Sequence, residues 1–155
     1  MARHARLGAA AGASHILDVS RAMWLADTSR LDEARRLLEQ LRDATVAQFG
    51  PRHPYVADRS ARLARVLLTQ GDLAAAEAQV EATLATEDGA DTAFGSAKDR
   101  ARLVQALVWV EQGRAAQAAG AIDTMRAMAG RADRREMYRE TLLLLEEAAA
   151  VSYAA

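Results

Sequence analysis

TSRLDEARRLL (28–38), QGDLAAAEAQV (70–80) and QGRAAQAAGAI (112–122) repeat one pattern every 42 residues. Ser29, Gly71 and Gly113 share one register, and Ala34, Ala76 and Ala118 another. Twelve residues before each of those alanines stands a further small residue: Ala22, Ala64 and Ala106. A fixed period of this size marks supersecondary units stacked on their neighbours, not a closed domain around one cleft. Paired helices approach to about 8–10 Å only where their contact residues are small, so these alanines mark the crossing of two helices near a turn. Glycine supplies the left-handed backbone that such a turn requires.

Working outward, the first hairpin is expected over 14–49. Ser14 caps SHILDVSRAMWLA, the turn falls at 27–29, and LDEARRLLEQLRDATVAQF follows with Leu31, Ala34, Leu37, Leu38, Leu41 and Ala44 on one face. Steps of three and four make that face apolar. Gly50 and Pro51 stop it. The second hairpin is expected over 54–86, opening at Pro54, which suits a first helical turn. Its stripe is Val56, Ser60, Leu63, Ala64 and Leu67, answered by Leu73, Ala76, Val80 and Leu84. EDGADTAFG (87–95) reads as a loop. The third hairpin is expected over 96–129, where Leu103, Val104, Leu107, Val108, Trp109 and Val110 clothe more than one side of its first helix. That pattern fits a helix held between neighbours. Gly120, inside the second helix, suggests a close helix contact. Residues 131–155 read as a long amphipathic helix that caps the last repeat, since an uncovered repeat face exposes core.

The fold expected is therefore all-α: an α-solenoid of three antiparallel helix hairpins over 14–130 and a C-terminal capping helix. Composition agrees, because 38 alanines with only two prolines favour helix throughout. A formal net charge of −1 carries no nucleic-acid or polybasic membrane footprint. The absence of cysteine excludes disulfides and thiolate chemistry. No apolar run approaches the roughly 18–20 residues that span a bilayer. The apolar part of MARHARLGAAAGAS (1–14) is short and weakly hydrophobic for a signal peptide, so a cytoplasmic location is expected. Lys98 is the one lysine in an arginine- and alanine-rich chain, a bias that points to a high-GC bacterial genome.

FGPRHPYVADRSARLARVLLTQGDLAAAEAQVEATL (49–84) resembles the tetratricopeptide repeat in its 42-residue kinesin-light-chain form. Phe49-Gly50, His53-Pro54, Leu63-Ala64, Gln70-Gly71 and Ala76-Glu77 carry the resemblance; the first and third repeats keep the small residues and the turn but lack the His-Pro. Leu7-Gly8 lies 42 residues before Phe49-Gly50, so 1–13 is expected to be a tail or the remnant of a preceding repeat.

The resemblance implies a groove lined by the first helix of each hairpin, binding a peptide or a partner's amphipathic helix. By register, Ile16, Val19, Met23 and Ala26 come from the first repeat. Asp58, Ala61, Arg65 and Leu68 come from the second, and Arg100, Leu103, Leu107 and Val110 from the third. Such an apolar face suits anchors at helical spacing, and the two arginines suit a carboxylate. Charge reversal at Arg65 and Arg100 is expected to leave folding intact. The competing expectation is that core packing or the C-terminal helix covers this face. The family's paired asparagines, which hold an extended peptide, are replaced by Val19-Ser20, Ala61-Arg62 and Leu103-Val104, so capture in that manner is not expected.

Nothing in the sequence supports catalysis. His4, His15 and His53 lack metal-ligand or triad spacing, no glycine-rich phosphate loop occurs, and the adjacent acids Glu87-Asp88 and Glu146-Glu147 fall on expected surface. The chain is expected to be a non-catalytic interaction scaffold without cofactor or metal. Its expected partner is a protein or peptide, with no nucleic acid and no membrane, and self-association into a homo-oligomer is the alternative.

Overall fold

The computed structural model describes residues 17–86 and 92–129, and six helices run through them. They are α1 (17–27), α2 (Leu31–Phe49), α3 (Pro54–Thr69), α4 (Leu73–Leu84), α5 (Thr92–Glu111) and α6 (Ala115–Ala129). No strand occurs among the described residues. The architecture is all-α, a run of antiparallel hairpins. The tail or remnant expected at 1–13 and the cap expected at 131–155 lie outside the described residues.

Each hairpin turns in the same way. Ser29, Gly71 and Gly113 all take left-handed backbone, with φ of 62°, 79° and 72°. At each turn the next residue's N–H reaches five residues back: Arg30 to the Leu25 carbonyl, Asp72 to Leu67 and Arg114 to Trp109, at 2.7–2.9 Å. The left-handed residue itself donates three back, to Ala26, Leu68 and Val110. This pair of bonds is the Schellman closure, which satisfies carbonyls that the helix end leaves open. The same residues then start the second helices, with Ala34, Ala76 and Ala118 donating to the carbonyls of Arg30, Asp72 and Arg114. One turn thus ends one helix and begins the next, and this fixes the hairpin angle.

The alanines sit where the register requires them. Ala22, Ala64, Ala106, Ala34 and Ala76 are fully buried, and Ala118 nearly so. The core runs from Ala22 and Leu25 through Leu38, Leu63, Leu67 and Val80 to Val104 and Val108. A smaller cluster pairs Ala106 with Ile122, flanked by Leu103 and Leu107. Helix α3 packs on α2, α4 and α5, and α5 on α4 and α6, so every first helix after α1 is held between neighbours.

The second helices meet through side chains. Arg35 donates to Asp72 at 3.3 Å, Arg42 to Gln79 at 3.2 Å and Arg114 to Glu77 at 3.3 Å, each across 37 residues. Arg35–Asp72 and Glu77–Arg114 are the same pair one repeat apart with the charges exchanged. Exposed pairs of this kind contribute at most about 1 kcal/mol each, so they align the helices more than they hold them.

Several expectations shift. Ala44 is exposed and Thr45 takes the buried place, because its Oγ1 donates to the Leu41 carbonyl at 2.6 Å and enters the core satisfied. Thr83, not Leu84, is fully buried in α4, its hydroxyl bonded to the Gln79 carbonyl at 2.8 Å. The loop expected at 87–95 ends earlier, since α5 begins at Thr92 and takes in Gly95. A helix of 20 residues absorbs the roughly 1 kcal/mol that one glycine costs. Gly120 makes no close contact: a Cβ there meets nothing within 4 Å.

Candidate partner-binding face

The face is built by α1 and α3, whose side chains wall one recess. Between them opens a recess of about 460 Å³, walled by Val19, Met23, Trp24 and Asp27 on one side and Asp58, Arg59 and Arg62 on the other. Ser20 completes the α1 wall. A smaller recess of about 250 Å³ continues toward the turn, where Met23 and Ala26 meet Arg65, Val66 and Thr69.

Asp58 is the hub. Arg100 reaches its Oδ1 at 2.7 Å, Arg62 Nε straddles both oxygens at 3.2 and 3.1 Å, and Arg59 approaches Oδ2 at 3.3 Å. The side chain of Asp58 is 17% exposed, so these contacts are partly shielded from water. One carboxylate facing three guanidinium groups leaves a surplus of positive charge. Burial pushes the guanidinium groups of Arg59 and Arg100 below their ordinary range, against the pull of Asp58 in the other direction. The Nε atoms of Arg59 and Arg100 are buried without a hydrogen-bond partner. Buried donors left unmet carry a desolvation cost, which the charged bonds to Asp58 offset.

Above the hub lies an aromatic group. Phe49 stacks on His53 with centroids 4.6 Å apart, and Tyr55 meets Phe49 edge-on at 5.9 Å. The Arg59 guanidinium lies 5.3 Å from the Tyr55 ring centroid, which ties this cluster to the hub. His53 caps α3, its Nδ1 accepting from the Tyr55 N–H at 3.2 Å. Local chain geometry therefore sets the arginine that faces Asp58.

The residues expected in the groove fall into three groups. Val19, Met23 and Asp58 line the main recess, and Arg65 lines the smaller one beside the partly buried Ala26. Arg65 is largely exposed and only loosely paired with Asp27, at 3.8 Å. Arg100 is drawn to Asp58 across the repeat boundary. Ala61 is 1% exposed and packs in the core, so its side chain is not presented to a partner. Leu68 is partly buried against the main core, Leu103 and Leu107 against the Ala106–Ile122 cluster, and Val110 is partly buried. Ile16 lies outside the described residues. Sequence reasoning missed Trp24, Arg59 and Arg62. The signal for Arg62 was its spacing four residues on from Asp58, which places it beside that carboxylate on a helix; Arg59, one residue on, gave no such signal.

Among the described residues, no group of three His, Asp or Glu side chains could hold a metal ion. No helix is long and apolar enough to cross a membrane, among those same residues.

Residues 14–86 match the family model of the tetratricopeptide repeat. No curated protein and no solved structure matches the chain.

Proposed function

We propose, on the tetratricopeptide-repeat match of residues 14–86, that this chain is a scaffold whose α1–α3 face binds an acidic, apolar segment of a partner protein. Tetratricopeptide repeats generally mediate protein–protein interaction and are not catalytic. The observation that carries the finer reading is the recess itself: apolar Val19, Met23 and Trp24 stand opposite Arg59 and Arg62. Trp24 is 56% exposed, and aromatic side chains so placed are typical anchors at interfaces. The apolar wall suits anchors spaced by three and four on a partner helix, and the arginines suit a carboxylate beside them.

The kinesin-light-chain form of the repeat and a bacterial, cytoplasmic setting belong to this proposal. Repeats of that form occur beside kinase and DNA-binding domains in bacterial regulatory proteins. The C-terminal repeat region of a larger protein such as a serine/threonine kinase, or the sensory arm of a transcription regulator, is the corresponding context.

A photo-crosslinking amino acid at Met23 tests the reading. It should yield a discrete adduct that is absent when the same group replaces exposed Gln40 on α2. Adducts from Gln40 and none from Met23 would refute it. Self-association is the second reading, favoured by Leu17 at 70% exposure beside Trp24. Sedimentation at rising concentration separates the two: a constant monomer mass removes self-association.

A further inference from the structure

The side of each first helix that meets the hairpin before it can be followed by register. In the second repeat, Arg59 and Arg62 stand opposite α1 across the main recess, and Val66 lines the smaller one with Met23, Ala26 and Leu31. One period on, the same places on α5 hold Ala101, Val104 and Val108, all buried in the main core. One period back they hold Leu17, Ser20 and Trp24, and all three are exposed. A stripe that the fold shields in its second and third repeats stands open in the first, and there it carries two large apolar side chains. Exposed apolar patches of this kind mark contact surfaces.

The charged part of the same seam is different. The residue after each turn ties its hairpin to the one before: Asp72 pairs with Arg35, and Arg114 with Glu77. In the first hairpin that place belongs to Arg30, which bonds instead to Glu33 of its own helix, at 2.7 and 2.6 Å. Its guanidinium also lies 6.0 Å from the Trp24 ring centroid. The polar half of the seam is closed within the hairpin, and the apolar half is not. A covering surface therefore has no charge to answer at Arg30.

We infer that this stripe is covered by a second copy of the chain, packed α1 against α1 about a two-fold axis. The inference deepens the self-association reading above, and rests on it, by naming the contact. Leu17 and Trp24 are seven residues apart, about 10 Å along the helix and on one side of it. With the two helices antiparallel, Leu17 of one protomer meets Trp24 of the other, twice. Ser20 lies between them, near the axis, and its small side chain lets the helices approach. A two-fold contact uses one patch on both copies, so it needs no complementary charge and closes at two. A further hairpin stacked head to tail would present a second helix like α2 or α4, whose charged partner for the residue after the turn Arg30 does not need. Ser20 and Trp24 also border the α1–α3 recess, so a second copy and a bound partner segment compete for Trp24.

The test uses the full chain. Sedimentation equilibrium at rising concentration should show a monomer–dimer equilibrium with no larger species. Leu17→Glu, a change at an exposed side chain, should raise the dissociation constant about tenfold or more. The chain has no cysteine of its own, so Ser20→Cys should oxidise to a covalent dimer, while Gln40→Cys on α2 should not. A dimer undiminished by Leu17→Glu, or a Ser20→Cys chain that fails to crosslink while the protein is dimeric, would overturn this contact and leave self-association itself standing. A constant monomer mass would overturn both. In that case acrylamide quenching of a Trp109→Phe chain identifies the cover: a shielded Trp24 assigns the stripe to residues 1–13, and an accessible one leaves it open.

Discussion

Arg100 donates to Asp58 at 2.7 Å, and the two residues occupy the same position in successive repeats, 42 residues apart. A single carboxylate thereby ties the second hairpin to the third while also holding Arg59 and Arg62. The expectation that Arg100 is a free groove residue gives way to one in which it joins the repeats. Asp58→Ala should lower stability by about 2 kcal/mol, because it strips charged hydrogen bonds from three partly buried arginines. Arg100→Glu should cost about 1–2 kcal/mol, reduced by the 39% exposure of its side chain, since it sets two carboxylates together. Arg65→Glu, in a pair that is 64% and 65% exposed, should change stability by no more than about 0.5 kcal/mol. Urea midpoints measure all three; equal shifts for Arg65 and Arg100 would show that the repeat-joining bond is idle.

The alanine register makes a steric prediction. Ala76 has no exposed surface, and the crossing it occupies has no room for a longer side chain. Ala76→Leu should destabilise by about 1–3 kcal/mol, and Ala118→Leu, at a crossing 2% exposed, by a similar amount. Thermal melts of the two variants check this, and an unchanged midpoint in both would break the assignment of helix crossings.

Ser29 does with a side chain what Gly71 and Gly113 do without one. Its φ of 62° is costly for a residue with a Cβ. Ser29→Gly should raise stability by about 0.5–1 kcal/mol, and Gly71→Ala should lower it by about 1 kcal/mol. The space around Gly71 is open, so the loss would be backbone strain alone. Calorimetry should show shifts of opposite sign.

His53 has a capping role that its ring stacking does not replace. His53→Ala removes the acceptor for the Tyr55 N–H and should cost about 1 kcal/mol. His53→Asn keeps a capping oxygen and should recover most of that loss, while the Phe49–Tyr55 environment, followed by tyrosine emission, stays altered. Equal destabilisation by Ala and Asn would assign the effect to stacking instead.

How far the fold could be read from sequence depended on what the period constrains. Turn residues and crossing alanines are dictated by backbone geometry, so Ser29, Gly71, Gly113 and the small residues stood out by identity alone. Thr45 and Thr83 did not, because a hydroxyl bonded to its own helix buries like an apolar side chain. In the candidate site, Asp58, Met23 and Val19 followed from register. Arg62 was legible four residues on from Asp58, whereas Arg59, one residue on, lies off that face and reaches Asp58 only through its long side chain.

Partner binding at the α1–α3 face is open to hydrogen–deuterium exchange of the full chain, with and without a partner isolated through the Met23 crosslink. Added protection is expected in α1 and α3, centred on residues 19–27 and 58–65, with α2 unchanged. Protection confined to α2 and α4, with α1 and α3 exchanging as in the free protein, would rule that face out.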